Sequence, residues 1–346
     1  MNHSLYMKEA LELAKKAQGQ VAPNPMVGCV IVYKGEVVAK GYHQKYGEAH
    51  AEVNAIKNLD KTIPAGECTV YVSLEPCSHH GKTPPCADLL ISKGFKKVVI
   101  ACLDPNPLVS GNGVRKLKEA GIEVISGILE KEARDLNKSF ITFYEKKHPY
   151  FILKWAQTAD GFISRLNPVS KEDNKISGKD AHVLVHELRA EVMAIMVGKN
   201  TVLADNPHLT TRLVNGKNPL RIFIDKNLDV PQHFNVYSNE AKTLVFNALK
   251  EEEQASIRFI KLDFSGDILN QITHKLVSLN LQSVLVEGGT FLLNDFIIHE
   301  LWDEAYVFVN PELYFEKGVK APVFEQKNKF SLVGKDQFYH QIRTKD

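Results

Sequence analysis

The sequence lacks the features that mark membrane and nucleic-acid proteins. No uncharged apolar run approaches the ~20 residues of a spanning helix, and the amino-terminal segment has no apolar core of a signal peptide. The 43 basic and 41 acidic side chains leave a formal charge of +2, without a basic stripe. These absences predict a cytoplasmic protein with a small-molecule substrate and no nucleic-acid or membrane partner. They leave the oligomeric state open, a homo-oligomer included.

Cysteine is scarce: the 346 residues include five cysteines, which is an odd number. This count argues against a disulfide framework, and in a reducing compartment thiolates are better explained as metal ligands. Cys29, Cys68 and Cys102 lie in apolar strand patterns and are predicted to be buried core thiols. Cys77 and Cys86 lie in a polar, proline-containing segment and remain as candidate ligands.

Alternating helix and strand patterns in the first part of the chain predict an α/β fold. A helix over residues 5–18, capped by Ser4, precedes a hairpin that turns at Lys34-Gly35. Strand and helix patterns then alternate from HAEVNAIKNL to IEVISGI. This order favours a largely parallel sheet covered by helices, with the antiparallel hairpin at one end.

The second part of the chain begins a new set of strands and helices. A charged junction ending in His148 and Pro149 precedes the strand pattern YFILKWAQ, so we place one domain at residues 1–146 and another at 147–346. The strand patterns LRIFID, TLVFN, SVLVEGG and EAYVFV follow, together with a long helix predicted over residues 178–197 and a helix at ILNQITHKLVSLN.

The candidate metal ligands and the candidate catalytic residue lie in a His-x-Glu motif and in two cysteines that follow it. Catalytic zinc takes three protein ligands and leaves a fourth position to water, and His50, Cys77 and Cys86 fit that number. Attack on an amidine-like pyrimidine carbon also needs a proton on the ring nitrogen and another on the departing amine. One carboxylate can carry both, and zinc base deaminases place it two residues after the ligating histidine. We therefore expect Glu52 to be catalytic.

The spacing of the cysteines departs from the general deaminase signature. Eight residues separate Cys77 from Cys86, whereas P-C-x-x-C has two. The longer loop adds imidazoles and an ammonium that could hold an anionic group. Two alternatives stay open: a closed structural zinc site with His79 or His80 as fourth ligand, and a nucleic-acid base deaminase with an accessory domain. The second should show a basic aromatic surface and the shorter cysteine spacing, which this sequence lacks.

These motifs are similar to those of one known family. PNPMVGCVIV, HAE and SLEPCSHHGKTPPC, followed by LKWAQTADG, TVLADNPHLTTR and VEGG, resemble the bacterial bifunctional riboflavin-biosynthesis deaminase-reductases. The resemblance implies a cytidine-deaminase-like three-layer domain and a dihydrofolate-reductase-like domain. It also implies Zn²⁺ and NADPH as cofactors and two consecutive reactions. The first is hydrolytic deamination of 2,5-diamino-6-(5-phosphoribosylamino)pyrimidin-4-one. The second is reduction of the ribosyl group of the resulting uracil to a ribityl chain.

The resemblance also implies roles for individual residues. In the deaminase it implies substrate contacts from Asn24, His43, His79 and Lys82. In the reductase it implies substrate contacts from Arg189, Leu209, Arg212 and Glu287, and cofactor contacts from Ala156, Thr201, Asp205 and Gly289.

One stretch of the second domain departs from the family pattern. Between residues 161 and 177 the chain is long and charged, and Lys175 replaces the tryptophan that the family shows. This keeps a third alternative open, namely a deaminase with a degenerate reductase domain. The sequence around Glu287 predicts a ligand site even without the resemblance. Glu287 ends an apolar strand, and the glycine turn that follows it precedes a helix.

Overall fold

The computed structural model divides the chain into two compact units, Met1–His148 and Pro149–Asp346. Within the part of the chain that the structure describes, no helix combines the length and apolarity needed to cross a membrane. The described residues are 2–78, 84–107, 109–166, 170, 172–325 and 329–343.

Five strands form one mixed sheet in the first unit. They are β1 (Gly28–Tyr33), β2 (Glu36–Tyr42), β3 (Cys68–Leu74), β4 (Lys97–Cys102) and β5 (Glu123–Ser126). Their order across the sheet is β2-β1-β3-β4-β5; pairing is antiparallel from β2 to β3 and parallel from β3 to β5. The parallel strands β3 and β4 therefore end at the same edge, and Pro76-Cys77 follows β3 there.

Helices cover both faces of this sheet and give three layers. They are α1 (His3–Lys15), α2 (Ala51–Lys57), α3 (Cys86–Ser92), α4 (Asn112–Glu119), α5 (Glu130–Leu136) and α6 (Lys138–Lys146). Because alternate strand residues point to opposite faces, Cys29 and Ile31 pack with α2, α3 and α4, whereas Val30 and Val32 pack with α1, α5 and α6. The predicted burial of the thiols of Cys29, Cys68 and Cys102 is confirmed.

The hairpin is confirmed, and the start of the first helix is corrected. Lys34 and Gly35 both have positive φ, 49° and 87°, as a two-residue turn with matching twist requires. The first helix begins at His3, so Asn2 takes the N-cap position that was predicted for Ser4.

The second unit contains a ten-stranded sheet with a parallel centre. Its order is β11-β12-β10-β9-β8-β13-β6-β14-β17-β16, and the seven strands from β12 to β14 are parallel. A separate pair joins β7 and β15. The strands are β6 (Tyr150–Thr158), β7 (Phe162–Ser164), β8 (Ala194–Gly198), β9 (Leu220–Ile224), β10 (Thr243–Asn247), β11 (Glu252–Gln254), β12 (Ile257–Lys261), β13 (Ser283–Val286), β14 (Glu304–Asn310), β15 (Val319–Lys320), β16 (Ser331–Val333) and β17 (Asp336–Ile342).

The helices of this unit pack beside the sheet. They are α7 (Lys179–Glu191), α8 (Lys199–Asp205), α9 (Ile268–Ser278) and α10 (Thr290–Ile298). The helix predicted over residues 178–197 is wrong in its second part, because α7 ends at Glu191 and residues 194–198 form β8. β8 lies in the centre of the sheet and is almost wholly buried, so its sequence carries no alternation that would distinguish a strand from a helix.

Candidate active sites

Three residues from three segments converge at the carboxyl end of β3. His50 is the N-cap residue of α2, Cys86 is the first residue of α3, and Cys77 lies in the connection between β3 and α3. His50 Nδ1 lies 3.3 Å from Cys86 Sγ and 3.6 Å from Cys77 Sγ. All three ligand atoms lie within 4.8 Å of one another. The eight-residue gap between the cysteines thus does not keep their side chains apart.

The geometry of this cluster fits zinc. With Zn–S near 2.3 Å and Zn–N near 2.05 Å, tetrahedral coordination separates nitrogen and sulfur ligands by about 3.5 Å. The observed separations of 3.3 and 3.6 Å agree with that value. Among the residues that the structure describes, no other group of three or more His, Cys, Asp or Glu side chains has metal-binding spacing. Three described ligands leave a fourth tetrahedral position.

Glu52 lies beside the cluster and is shielded from water. It is in the first turn of α2 and is only 3% exposed. Burial, and next the charge of Cys77, raises the pKa of Glu52 to about 7. Its carboxylate also interacts with the side chain of Cys86 by a hydrogen bond. A carboxyl group with a pKa near neutrality can accept a proton in one step and donate it in the next.

His43 and Asn24 lie beside the same cluster. The ring of His43 contacts that of His50 edge-on, with centroids 5.4 Å apart. His43 Nδ1 lies 3.1 Å from the carbonyl oxygen of Ala49, and Nε2 lies 3.1 Å from Asn24 Nδ2. Burial lowers the pKa of His43, so the neutral ring donates from Nδ1 and accepts at Nε2. Both residues are therefore held in fixed orientations. The other two predicted contacts, His79 and Lys82, lie outside the described residues.

Glu75 was missed by the sequence analysis as a residue that supports the site. It is 3% exposed and precedes Pro76-Cys77. Its carboxylate accepts three backbone N–H groups, from Asp104 at 3.2 Å, Gly111 at 3.0 Å and Val114 at 3.0 Å. The connection that carries Cys77 is thereby tied to the segment between β4 and α4. An acidic residue directly after a buried strand was the available signal.

The second candidate site lies at the carboxyl ends of the central strands of the second unit. Glu287 follows β13, and Arg189 of α7 pairs with it through two hydrogen bonds, Nε to Oε1 at 2.8 Å and Nη2 to Oε2 at 2.9 Å. Lys154 Nζ of β6 lies 3.6 Å from Glu287 Oε2. Burial opposes ionisation of this carboxyl, but Arg189 and Lys154 outweigh it and hold the pKa of Glu287 at about 2.

Imidazoles and a second guanidinium surround this ion pair. His182, His186 and Arg189 recur at helical spacing on α7. Burial and the charges of Arg189 and Arg212 lower the pKa of His186 to about 4. Accordingly, His186 Nδ1 accepts the backbone N–H of Arg212 at 2.9 Å. Leu209 has a positive φ of 53°, and its side chain is buried in the core.

Two of the four predicted cofactor residues, Thr201 and Gly289, contact each other. Thr201 Oγ1 accepts the backbone N–H of Gly289 at 3.0 Å, so the start of α8 contacts the start of α10. Ala156 lies near the end of β6 and Asp205 ends α8. Lys154, His182 and His186 were not predicted from the sequence. A lysine within an apolar strand and a His-x₃-His-x₂-Arg spacing on a helix were the available signals.

Comparisons with known proteins match both units. Residues 1–102 match the family described as cytidine and deoxycytidylate deaminase zinc-binding region, and residues 149–327 match the RibD C-terminal domain. The riboflavin biosynthesis protein RibD of Aquifex aeolicus (strain VF5) is 42% identical over 345 residues, which cover 96% of each chain. RibD of Escherichia coli (strain K12) is 35% identical over 99% of this chain and 100% of its own.

Two solved structures resemble this chain over 99% of its length. One is a diaminohydroxyphosphoribosylaminopyrimidine deaminase/5-amino-6-(5-phosphoribosylamino)uracil reductase from Thermotoga maritima. It superimposes with a TM-score of 0.88 at 38% identity and covers 99% of both chains. Acinetobacter baumannii RibD, form 1, gives a TM-score of 0.87 at 32% identity with the same coverage. These matches confirm the predicted fold: a cytidine-deaminase-like unit followed by a reductase unit of the kind that RibD proteins carry.

Proposed function

Because this chain belongs to the RibD family of bifunctional riboflavin-biosynthesis enzymes, we propose a role for each side-chain cluster in its two reactions. The chain is a zinc-dependent deaminase and an NADPH-dependent reductase. Its substrates are those predicted from the sequence, a phosphoribosylaminopyrimidine that is deaminated and the resulting uracil that is reduced. The observation that carries the residue roles is the convergence of His50, Cys77 and Cys86 beside the buried carboxyl of Glu52.

In the deaminase, His50, Cys77 and Cys86 hold the zinc ion. The ion supplies Lewis acidity, which makes water nucleophilic near neutral pH. Two thiolates and one neutral imidazole balance the charge of Zn²⁺, and the spacing of their ligand atoms supports this assignment. A closed structural site would not need a buried carboxyl at its edge, so Glu52 favours the catalytic interpretation.

Glu52 moves the protons of the deamination. It accepts a proton from the attacking water and passes it to the ring nitrogen of the pyrimidine. It then accepts the second proton, from the hydroxyl now bound to the carbon, and passes it to the amine, which leaves as ammonia when its C–N bond breaks. Because Glu52 lies in a water-poor position beside Cys86, these transfers run between the carboxylate and the bound base. Asn24 and the neutral ring of His43 orient the base, and their mutual contact supports that role. His79 and Lys82 are proposed to bind the phosphorylated sugar.

In the reductase, the cluster around Glu287 binds the sugar and its phosphate. NADPH supplies the hydride when bound, and the protein positions both partners. The guanidinium of Arg212 favours an anionic phosphate, whereas that of Arg189 is committed to Glu287 and orients its carboxylate. Glu287 accepts hydrogen bonds from sugar hydroxyls, and Leu209 contributes its backbone. Ala156, Thr201, Asp205 and Gly289 contact the cofactor.

We further propose that the enzyme works in the cytoplasm on small molecules, without a nucleic-acid or membrane partner. All five cysteines are free, and two of them must stay reduced to bind zinc, which a reducing compartment ensures. The near balance of acidic and basic side chains supports the absence of a polyanionic partner.

The test is to incubate the purified protein with the diaminopyrimidine phosphate, with and without NADPH. Ammonia release without NADPH and a ribityl product with NADPH are the expected results. Ammonia in both reactions with no reduced product would confine activity to the first unit. Absence of both products with zinc-loaded protein would overturn the proposal.

A further inference from the structure

His186 of α7 is anchored at one ring nitrogen and open at the other. The residue is 5% exposed, and its Nδ1 atom accepts the backbone N–H of Arg212 at 2.9 Å. A neutral imidazole that accepts at Nδ1 carries its proton at Nε2. Burial, together with the charges of Arg189 and Arg212, lowers the pKa of His186 to about 4. The ring is therefore an uncharged Nε2–H donor near neutral pH.

The Nε2 atom of His186 is accessible to a ligand although most of the ring is buried. Within the part of the chain that the structure describes, this atom has no hydrogen-bond partner in the protein. The side-chain polar atoms there that are both unpartnered and fully enclosed are Asp225 Oδ1 and Gln282 Nε2, and His186 Nε2 is not among them. Donors in protein interiors are almost always paired with protein or ordered water. The small exposed part of His186 thus includes a donor that the protein leaves without an acceptor.

His186 lies among the charged groups of the second candidate site. It is one helical turn from Arg189, and the charges of Arg189, Arg212 and Glu287 all act on its ring. Arg189 donates to Glu287 and to the carbonyl oxygen of Thr210. The guanidinium of Arg212, which has five N–H donors, makes one bond to the described residues, from Nη1 to Thr210 Oγ1 at 3.2 Å. Arg212 therefore keeps donors for an anion beside His186.

The segment that carries Arg212 is held against α7. His186 Nδ1 accepts the N–H of Arg212, and Arg189 Nη1 donates to the carbonyl oxygen of Thr210 at 3.3 Å. Leu209, one residue further back, is 3% exposed and packs in the core. A ligand that bridges the imidazole and the guanidinium does not have to order this segment first, so less entropy is lost on binding.

A neutral N–H donor beside a guanidinium suits an oxyanion with several acceptor oxygens. A phosphate offers three such oxygens. The guanidinium supplies the opposite charge, and hydrogen bonds to an ionised acceptor are shorter and stronger than those to a neutral one. Sugar hydroxyls find a better partner in Glu287, which remains an anion because Arg189 and Lys154 hold its pKa at about 2.

We propose that His186 binds the phosphate of the reductase substrate through a hydrogen bond from Nε2, while its Nδ1 atom holds Arg212 in place for the same group. This role rests on the reductase function proposed above and adds to Arg212 a second residue that recognises the phosphate. The phosphate is on C5′ of the sugar and the reduced carbon is C1′. The contact is therefore remote from hydride transfer and should act on substrate binding.

The two ring nitrogens can be tested separately, because asparagine and glutamine each replace one of them. In His186→Asn the amide oxygen can accept the N–H of Arg212, but no donor reaches the position of Nε2. In His186→Gln the amide nitrogen reaches the position of Nε2, but the acceptor for Arg212 is lost. His186→Ala removes both. His274→Asn, at an exposed position on α9, is the matched control.

The experiment measures NADPH oxidation by the zinc-loaded full chain. The substrates are 5-amino-6-(5-phosphoribosylamino)uracil and its dephosphorylated counterpart, and ammonia release by the first unit reports on intact protein. With the phosphorylated substrate, His186→Asn and His186→Ala should raise KM at least about tenfold, because a hydrogen bond to a charged group is lost. Their kcat should stay within about twofold of the wild type, since the bond is equally present before and during reduction. His186→Gln should raise KM less than His186→Asn does. With the dephosphorylated compound, kcat/KM of all variants should agree with the wild type within about twofold.

Three results would overturn the assignment. A wild-type KM in His186→Asn would show that the ring only anchors Arg212. An equal loss with the dephosphorylated compound would show that the contact is not made to phosphate. A fall in kcat at constant KM would place His186 at the reacting carbon. Failure of the parent function would look different, because wild-type protein itself would then fail to oxidise NADPH with the deaminated substrate.

Discussion

At the scale of single residues, Glu52 and Glu287 show how neighbouring groups decide what a carboxyl group can do. Glu52 and Glu287 are both withdrawn from water. Burial dominates at Glu52 and raises its pKa to about 7, whereas Arg189 and Lys154 keep the pKa of Glu287 at about 2. The first group can exchange protons near neutral pH, and the second remains a fixed anion.

Replacing Glu52 separates metal binding from proton transfer. Glu52→Gln should keep zinc, since the three ligands are untouched, and should lose ammonia release by at least about a hundredfold because general acid–base catalysis is removed. Zinc content by atomic absorption and ammonia by a coupled assay check this. Glu48→Gln, at an exposed position, is the control. Normal deamination by the Glu52 variant would remove this residue from the mechanism.

The charge of Glu287 should make the second unit sensitive to acid. Its folded-state pKa of about 2 lies below the ordinary 4.5. The resulting stabilisation, about 3 kcal/mol, is therefore fully present above pH ~4.5 and lost as pH falls towards 2. Glu287→Gln should destabilise the unit at neutral pH, where Arg189 and Lys154 lose their partner, and should flatten the acid limb of its stability curve.

Tryptophan fluorescence can follow this unit by itself. The sequence has two tryptophans, and both, Trp155 and Trp302, lie in the second unit. Urea unfolding from pH 7 to pH 3 then gives the free energy of unfolding for the wild type, Glu287→Gln and the exposed control Glu253→Gln. Parallel pH curves for wild type and Glu287→Gln would show that this carboxyl does not have a depressed pKa.

Single residues also show where sequence reasoning reaches its limit. The zinc site could be recognised in the sequence, because zinc deaminases need a histidine, a glutamate two residues later and two cysteines further along, here His50, Glu52, Cys77 and Cys86. The structure brings the three ligands, His50, Cys77 and Cys86, together. Lys154 has no such signature, since its partner Glu287 is distant in the chain and only the sheet makes them neighbours.

At the scale of elements, the packing of α4 against the end of β3 supports the zinc site. A Cβ atom on Gly113 would lie 2.1 Å from the carbonyl oxygen of Pro76, directly before Cys77. Glu75 binds the same helix start through the N–H of Val114. Because no Cβ fits there, α4 can approach the strand end closely only with glycine at this position.

Gly113→Ala should therefore weaken zinc binding without touching a ligand. The added methyl group must displace the backbone next to Cys77, so we expect about 1–3 kcal/mol of destabilisation and loss of zinc to a chelator at lower concentration. Gly66→Ala is the control, because its added Cβ meets its nearest atom at 3.4 Å. Equal zinc retention in the two variants would show that the close approach does not support the site.

Elements with a local signature were predictable, and those defined by tertiary packing were not. The turn at Lys34-Gly35 was predictable, because Gly35 adopts its positive φ of 87° at no steric cost and apolar strand patterns flank the pair. Residues 194–197 of β8 were predicted to continue a helix, since a strand buried on both faces is apolar and shows no alternation. Only its neighbours β9 and β13 identify it as a strand.

At the scale of the whole molecule, each unit has its own sheet, its own core and its own chemistry. The zinc ligands belong to the first unit, whereas the ion pair of Arg189 and Glu287 belongs to the second. Where two sites share no ligand and no core, loss of one should leave the other intact. Removal of the metal should therefore stop one of the two reactions and leave the other unaffected.

Removal of zinc should abolish deamination and spare reduction. After dialysis against a chelator, the full chain should release no ammonia from the diaminopyrimidine phosphate but should oxidise NADPH at the wild-type rate with the already deaminated substrate. Re-addition of Zn²⁺ should restore ammonia release, which distinguishes metal loss from irreversible unfolding. The Cys77→Ser variant, which replaces a thiolate with a weak hydroxyl ligand, should reproduce the chelated state without the chelator. If NADPH oxidation fell together with ammonia release in both preparations, reduction would also depend on the zinc-bound first unit. The two units would then have to be treated as one catalytic body.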